Sequence, residues 1–306
     1  IIITPIITVT LTKMMYAGEN TMVVEDALAR IDNIIERKPL PQAAEEKSPE
    51  DVSIEFEHVS FRYDGAEKDA LHDISLQIRP GEHIAFVGPS GGGKTTLARL
   101  VARFADASQG EIRIGGANVK EIHQKALMDM VSFVFQDSRL LKASILENVR
   151  ASRPNATREQ VQEALRAAQC DDILEKLPKG VDTVLGTKGV YLSGGEQQRI
   201  ALARAILKDA PIVLLDEATA FADPENEYKI QMAFERLTRG KTVLMIAHRL
   251  PTIQNADEIL VLEQGTIAER GTHSALMAQN GIYASMWRDY QTSVAWNIGK
   301  EGHYAS

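Results

Sequence analysis

Cysteine is almost absent from this sequence of 306 residues, and its scarcity excludes two kinds of structure. With Cys170 as the single cysteine, the chain can form neither an internal disulfide nor a cysteine-based zinc cluster. A lone thiol is typical of a reducing cytosol. Because 44% of the residues are hydrophobic, we expect an ample apolar core, arranged as one large domain with an appendage.

Basic residues are also fewer than acidic residues. The chain has 34 Lys and Arg residues against 42 Asp and Glu residues, which gives a formal net charge of −8. Proteins that bind nucleic acid usually carry a basic patch or a basic overall balance. We therefore expect no nucleic acid among the partners of this chain. The sequence also has no evident low-complexity tract or internal repeat.

The apolar segment that opens the chain is too short to cross a bilayer by itself. Residues 1–12 contain no charged side chain, whereas a membrane-spanning helix needs about 20 residues. The segment also lacks the basic start and the cleavage site of a signal peptide. Because the first residue is Ile and not Met, we expect a fragment or a processed product that begins near the end of a membrane helix. A buried helix or strand of a soluble domain is the alternative.

A helical pattern of apolar residues runs from about Ala17 to Arg37, with charged residues on the other faces. Pro39 and Pro41 end this pattern. We predict that residues 1–40 are the end of a transmembrane helix and its cytosolic extension. The predicted segments after it are a linker at 41–50, the main domain at 51–291 and a C-terminal tail at 292–306.

A glycine-rich segment matches the pattern G-x-x-x-x-G-K-[ST] of a phosphate-binding loop. Glycines let successive backbone amides point inward, Lys94 can reach the β- and γ-phosphates, and the hydroxyl of Thr95 can ligate Mg²⁺. A strand pattern precedes the segment and a helix pattern follows it, which is the context that such a loop requires. The predicted nucleotide-binding residues of this segment are Gly88, Pro89, Ser90, Gly91, Gly92, Gly93, Lys94, Thr95 and Thr96.

A second segment of similar chemistry, from Leu192 to Glu196, opens another predicted helix. Ser193 as the N-cap and Glu196 three residues later form a capping box, which explains both residues without a ligand. The paired glycines between them favour close approach of a phosphate to the helix N-terminus. Both interpretations stay open. The candidate binding residues here are Ser193, Gly194, Gly195 and Glu196.

Acidic residues and a histidine follow two predicted buried strands. Asp216 and Glu217 come directly after the apolar run 212–215, and His248 comes shortly after the run 242–246. At the carboxyl end of a parallel strand, an Asp can hold Mg²⁺ while the next acid faces the γ-phosphate. The alternatives are a pair of acids that caps the next helix and a structural histidine.

Taken in order, the phosphate-binding loop, the Leu-Ser-Gly-Gly segment, the Asp-Glu pair and the histidine resemble the ATP-binding cassette (ABC) ATPases over about residues 51–290. This resemblance implies an α/β P-loop core with an antiparallel β subdomain and a helical subdomain, preceded by a helical remnant of a membrane domain. In that family, the signature loop of one subunit closes on ATP that the P-loop of another subunit holds.

The resemblance also implies a role for individual residues. Glu217 would polarise the attacking water, and His248 would support that geometry. Gln136 would contact Mg²⁺ and the attacking water from the Q-loop, and Tyr63 would stack on adenine. The implied Mg²⁺ ligands are Thr95, Gln136 and Asp216.

Two segments and one single residue depart from the pattern of exporter-type members. Residues 220–223 read Ala-Phe-Ala-Asp in place of Ser-Ala-Leu-Asp, which puts the serine contact of the D-loop across the dimer in doubt. Residues 186–189 read Gly-Thr-Lys-Gly in place of Gly-Glu-Arg-Gly, so the contacts that couple to a membrane domain are in doubt. Glu196 stands where exporters often carry Gln. None of these changes removes a residue that hydrolysis requires.

We therefore predict ATP binding and hydrolysis that power transport by an exporter-type ABC half-transporter, with ATP and Mg²⁺ as cofactors. The expected partners are a second nucleotide-binding domain, in a homodimer or heterodimer, and a transmembrane domain. The expected location is the cell membrane, with the ATPase domain on its cytoplasmic face. One alternative is a soluble ABC ATPase of DNA repair or translation, which would carry coiled-coil inserts or tandem cassettes. The other alternative is the regulatory subunit of a heterodimeric transporter.

Overall fold

The structure, a computed structural model, describes most of the chain in seven stretches. These are residues 3–36, 39–43, 45–135, 139–186, 191–216, 224–247 and 250–301. The chain divides into two compact units, Ile1–Pro41 and Gln42–Ser306.

The first unit consists of one long helix, α1 (Ile3–Ile35), which continues from the apolar opening segment through the predicted amphipathic stretch. Its apolar side chains Met22 and Ile34 are each 73% exposed. Arg30 pairs with Asp26 one turn earlier at 2.8 Å, as is usual for opposite charges at this spacing. Among the described residues, no helix combines the length and the apolarity that crossing a membrane demands.

The second unit is organised by two sheets. In the described residues, the strands are β1 (Ile54–Phe61), β2 (Leu71–Ile78), β3 (His83–Val87), β4 (Gln109–Ile114), β5 (Ala117–Asn118), β6 (Val131–Val134), β7 (Ile212–Asp216), β8 (Thr242–Ile246), β9 (Glu258–Glu263) and β10 (Thr266–Gly271). The smaller sheet has the order β2-β1-β4-β5, and the larger sheet has the order β10-β9-β3-β8-β7-β6.

The larger sheet is parallel except for β10, which pairs antiparallel with β9 through the turn at Gln264-Gly265. Strand β7 is buried along its whole length, as expected for a parallel strand that is covered on both faces. Because β3, β7 and β8 run in the same direction, their carboxyl ends meet at one edge of the sheet. The loop after β3 and the acid that ends β7 therefore lie at the same edge.

The smaller sheet is antiparallel throughout. Ile54 of β1 pairs with Ile78 on one side and with Ile114 on the other, and all three side chains are buried. Both neighbours of β1 shift register near His58, which has a positive φ of 49°. This irregularity bends the end of β1, and the chain leaves the strand just before Tyr63.

Helices cover the larger sheet and form a lobe beside it. In the described residues of the second unit they are α2 (Lys94–Val101), α3 (Gln124–Met130), α4 (Ile145–Arg150), α5 (Arg158–Ala167), α6 (Asp171–Lys176), α7 (Gly194–Lys208), α8 (Pro224–Thr238), α9 (His273–Gln279) and α10 (Ile282–Glu301). The helical lobe contains α4, α5 and α6, and it corresponds to the helical subdomain that the resemblance implies. Capping boxes begin α4 and α5, where Ser144 and Thr157 are the N-caps. Helix α10 continues through residue 292, where we expected the tail to begin.

The larger sheet separates two apolar clusters because successive side chains of a strand point to opposite faces. Leu214 and Leu244 pack in a cluster with α2 and the smaller sheet. Val213 and Leu215 pack in the cluster beneath the helical lobe and α7. A third cluster contains Trp287 and holds α10 against the sheet.

Candidate active site

The phosphate-binding loop connects β3 to α2, and two of its glycines are required by close backbone contacts. Gly88 has a φ of 137°, and a Cβ atom there would lie 2.0 Å from the carbonyl oxygen of Leu262 in β9. Gly93 has a φ of 99°, and a Cβ atom there would lie 2.6 Å from the carbonyl oxygen of Ala70. The loop is therefore pressed against β9 and the start of β2, and only glycine fits at both positions.

The N-terminus of α2 is arranged to receive an anion. Its N-cap, Gly93, provides no side-chain hydrogen bond, so the first amides of the helix are not satisfied by a cap. Lys94 is only 5% exposed, and its ammonium donates hydrogen bonds of 2.9 Å to the carbonyl oxygens of both Gly88 and Pro89. A buried positive charge therefore lies over a loop of glycine amides at a helix N-terminus, a combination that suits phosphate.

The structure brings Thr95 and Asp216 together. The hydroxyl of Thr95 lies 3.5 Å from Oδ1 of Asp216, and the Asp216 side chain is buried at the carboxyl end of β7. A hydroxyl and a carboxylate are hard oxygen donors, the kind that Mg²⁺ prefers, and Mg²⁺ sites commonly combine one or two protein oxygens with substrate phosphates. The residues present therefore fit a Mg²⁺ ion beside the phosphate-binding loop.

Tyr63 lies next to α2, as the adenine interpretation requires. Its hydroxyl is 3.0 Å from Oγ1 of Thr96, and its ring packs edge-on against Phe61 with 4.8 Å between centroids. The side chain is still 44% exposed. It borders an apolar cavity of about 280 Å³ that Leu100 also lines. An aromatic ring held at both ends and open on one side is suited to stacking against a base.

The segment at the start of α7 forms the capping box that the sequence predicts. The amide of Glu196 donates to the hydroxyl of Ser193 at 3.2 Å, and the amide of Ser193 donates to Oε2 of Glu196 at 2.8 Å. Ser193 and Gly194 are exposed, whereas Gly195 is buried. The helix N-terminus is thus ordered by its own cap and open to solvent, so capping and phosphate binding are compatible here.

Three predicted site residues, Gln136, Glu217 and His248, lie outside the described residues. In the sequence, each of them directly follows a described residue, and that residue either ends a parallel strand or comes just after its end. These preceding positions are Phe135 after β6, Asp216 in β7 and Ala247 after β8. The roles of Gln136, Glu217 and His248 remain predictions, as do the consequences of the unusual residues 187–189 and 220–223.

Sequence reasoning missed a partly buried ionic cluster that joins α6, α7 and α8. The fully buried Arg199 of α7 binds both carboxylate oxygens of Asp172 in α6, at 2.6 and 3.1 Å. It also donates to Oδ1 of Asn226 in α8 at 2.8 Å and to the carbonyl oxygen of Gln169. Lys229 of α8 binds Asp172 as well, at 3.0 Å.

This cluster changes the ionisation of Asp172. Partial burial raises the pKa of Asp172, but hydrogen bonds from Arg199 and Lys229 outweigh that effect and hold the pKa well below its usual range. One signal in the sequence could have revealed the cluster. Arg199 stands among the buried apolar residues of α7, and a buried arginine requires an acidic partner.

Comparison with known proteins identifies the domain that carries this geometry. A family model described as ABC transporter matches residues 71–220. The ATP-dependent lipid A-core flippase of Alkalilimnicola ehrlichii is 48% identical over 279 residues, which cover 90% of this chain and 46% of the flippase. The mycobactin import ATP-binding/permease protein IrtA of Mycobacterium tuberculosis is 50% identical over 242 residues, which cover 79% of this chain and 28% of IrtA.

A solved structure shows the same fold. It is described as a bacterial Atm1-family ABC exporter with ATP bound, and it superimposes with a TM-score of 0.78 at 38% identity over 86% of this chain and 46% of the exporter. The chain thus spans less than half the length of these relatives. The comparisons confirm the predicted combination of a P-loop core, an antiparallel β subdomain and a helical subdomain, and an ABC domain of this kind binds nucleotide. The chain therefore belongs to the ATP-binding cassette family, and its second unit is a nucleotide-binding domain like those of exporter-type members.

Proposed function

We propose that this chain binds and hydrolyses ATP to power transport across the cell membrane, as the nucleotide-binding part of an exporter-type ABC transporter. The observation that carries this proposal is the presence of two phosphate-ready helix N-termini in one domain. One begins α2 behind Gly93, and the other begins α7 behind Ser193. A simple nucleotide-binding domain needs only the first.

The second helix N-terminus has a use if two copies of the domain face each other. The P-loop of one copy, with Lys94 and Thr95, would hold ATP, and the exposed Ser193 and Gly194 of the other copy would close on its phosphates. A pair of domains related by a two-fold axis would then enclose two ATP molecules at two identical sites. The partner is a second nucleotide-binding domain, either identical or related.

Each residue of the proposed ATP site would have its own role in binding or hydrolysis. The Lys94 ammonium would exchange its contacts with the loop carbonyls for contacts with phosphate oxygens, and Tyr63 would stack on adenine. Thr95 and Asp216 would hold Mg²⁺, which neutralises charge on the phosphate oxygens when it is bound. Glu217, the next residue after Asp216, would polarise the attacking water.

Gln136 and His248 would complete this arrangement. Gln136 follows β6 and would contact the metal and the attacking water, whereas His248 follows β8 and would orient the water with Glu217. Both residues come just after strands whose carboxyl ends lie at the same edge of the sheet as Asp216. Small movements of the helical lobe relative to this edge would therefore alter the site.

The transmembrane domain would dock beside the carboxyl edge of the larger sheet. The rings of Phe133 and Phe135 stack with centroids 4.0 Å apart, and Phe104, 47% exposed, lies against them. These rings line a groove of about 850 Å³ between the sheet and α7, adjacent to Gln136 in sequence. An exposed aromatic groove of this kind suits a helix of a transmembrane domain. Residues 1–40 would be the end of that domain, and the ATPase domain would lie on the cytoplasmic face.

The cargo would be selected by the membrane domain. One relative is named a lipid A-core flippase and another a mycobactin import protein, so closely similar nucleotide-binding domains accompany different cargoes and directions. We therefore assign energy supply to this part of the chain and substrate recognition to the transmembrane segments.

A mixing experiment tests the shared site. Lys94→Ala removes the P-loop charge, and Ser193→Arg blocks the signature loop, so each variant alone has two defective sites and should lack ATPase activity. Mixed dimers would contain one site with both defects and one intact site. An equal mixture should then recover up to about a quarter of the wild-type rate, because half of the dimers are mixed and half of their sites are intact.

The rate of the wild-type chain provides the second measurement. ATPase activity per molecule should rise with protein concentration through the range in which dimers form. If the mixture stays inactive and the wild-type rate per molecule is independent of concentration, each chain hydrolyses ATP alone or not at all, and the proposal fails.

A further inference from the structure

The glutamate at the start of α7 is bound from outside its own helix. Lys176, the last residue of α6, places its ammonium 3.3 Å from Oε1 of Glu196. The other carboxylate oxygen, Oε2, accepts the amide hydrogen bond from Ser193 that closes the capping box. Both oxygens of Glu196 are therefore engaged, one by the cap and one by Lys176.

The two partners differ in their exposure. The Glu196 side chain is 14% exposed, whereas the Lys176 side chain is 67% exposed. One helical turn away on each helix, Asp172 and the buried Arg199 make a second connection between α6 and α7. This neighbouring contact ties α6 to α7 and so keeps Lys176 within reach of Glu196.

The negative charge of Glu196 is favourable within the chain and unfavourable for the proposed ligand. A carboxylate in the first turn of a helix interacts well with the helix dipole and satisfies a free amide. The same helix N-terminus is proposed to meet the phosphates of ATP, which carry like charge. A positive charge next to Glu196 offsets this repulsion, and Lys176 is placed to provide it.

We propose that Lys176 is a positioning residue for the shared ATP site. It neutralises Glu196 and holds the carboxylate in the capping box, so that Ser193 and Gly194 can close on phosphates bound by a second copy of the chain. This inference rests on the proposed function, because it requires the start of α7 to meet ATP. Lys176 acts through Glu196 and does not contact the nucleotide.

The test is a double substitution in the full chain. Lys176→Gln should lower the ATPase rate about fivefold, since it leaves one uncompensated charge near the phosphates. Adding Glu196→Gln to the same chain should restore most of the lost rate, because the charge that needed compensation is gone. Lys176→Arg should keep the wild-type rate. Lys179→Gln, which removes another exposed lysine three residues later, is the matched control and should also keep it.

Two further measurements separate electrostatic positioning from a structural effect. The affinity of the isolated chain for ATP and the melting temperature should be unchanged by Lys176→Gln, because the P-loop is intact and exposed ion pairs contribute little stability. The deficit of Lys176→Gln relative to wild type should shrink as salt is raised from about 0.05 to 0.5 M, since screening weakens the repulsion.

The results for the Lys176 variants distinguish electrostatic positioning from a packing role and from failure of the proposed function. If Lys176→Gln matches wild type, or if it is impaired and Glu196→Gln does not rescue it, the inference is overturned while the shared site stands. If Lys176→Gln lowers the melting temperature and Lys176→Arg does the same, Lys176 has a packing role and the inference is also overturned. Failure of the proposed function appears differently, as a wild-type chain that shows no concentration-dependent turnover and no recovery in the Lys94→Ala and Ser193→Arg mixture.

Discussion

The hydroxyl of Thr95 lies 3.5 Å from the carboxylate of Asp216, although 121 residues separate the two in the chain. Thr95 is in the first turn of α2, and Asp216 ends β7, two strands away from the strand that leads into the phosphate-binding loop. The parallel arrangement of the sheet brings them to one edge. The two hard oxygen donors of the proposed Mg²⁺ site are therefore held together by the fold itself.

Substitution of a glycine in the phosphate-binding loop should show how tightly the loop is packed. We expect Gly93→Ala to lower the free energy of unfolding by roughly 3 kcal/mol, because strain from the positive φ adds to overlap with the carbonyl oxygen of Ala70. Urea unfolding measures this change. Gly65→Ala is the control, since Gly65 also has a positive φ, of 78°, but a Cβ atom there would meet nothing within 4 Å. It should cost only about 1 kcal/mol, and equal losses would contradict the proposed overlap.

Replacement of the proposed catalytic base should separate binding from turnover. We expect Glu217→Gln to preserve ATP binding and to lower the hydrolysis rate by at least about 100-fold, because the amide cannot polarise the attacking water. ATP should then trap a dimer that size-exclusion chromatography detects. Glu235→Gln, at an exposed position of α8, should leave turnover unchanged and form no trapped dimer. Near-normal turnover in Glu217→Gln would disprove the assignment.

Breaking the ionic cluster around Arg199 should lower stability by an amount that depends on pH. We expect Asp172→Asn to lower the free energy of unfolding by about 3 kcal/mol at neutral pH, because the buried Arg199 loses its charged partner. Asp171→Asn removes the exposed neighbouring acid and should change stability by less than about 0.5 kcal/mol. Denaturant unfolding of the two variants against wild type measures both effects.

The pKa of Asp172 gives the sign of the pH effect. Since the pKa is lower in the folded state than in the unfolded state, the stabilisation is fully present above the ordinary pKa of about 4. It is lost as pH falls toward the folded-state pKa. The difference in stability between wild type and Asp172→Asn should therefore shrink below about pH 4, and a constant difference down to pH 2 would argue against this ion pair.

Deletion of residues 1–40 should leave the second unit intact. Because α1 belongs to a separate compact unit, we expect the melting temperature and the affinity for ATP to change little, and solubility to improve as exposed apolar side chains are removed. Differential scanning calorimetry and ATP titration of the shortened chain measure these quantities. A fall of more than about 5 °C in melting temperature would mean that the segment is part of the ATPase core.

Much of the site was predictable from the sequence because its chemistry is local. The glycines, Lys94 and Thr95 are adjacent in the chain, and a phosphate-binding loop needs them at that spacing whatever surrounds it. The capping box of Ser193 and Glu196 is likewise contained within four residues, and the structure contains it. The apolar runs that become β7 and β8 were also visible in the sequence, because a parallel strand covered on both faces is apolar along its length.

The tertiary structure decided which residues of distant segments contact each other. The hydrogen bond of Tyr63 to Thr96, the cluster around Arg199 and the pair of Lys176 with Glu196 each join residues from different elements. Helical spacing shows which residues share a face of one helix, but it does not show which face of α6 meets which face of α7. That choice depends on how the apolar side chains of both helices pack into one core, and the ion pairs form where this packing brings opposite charges together.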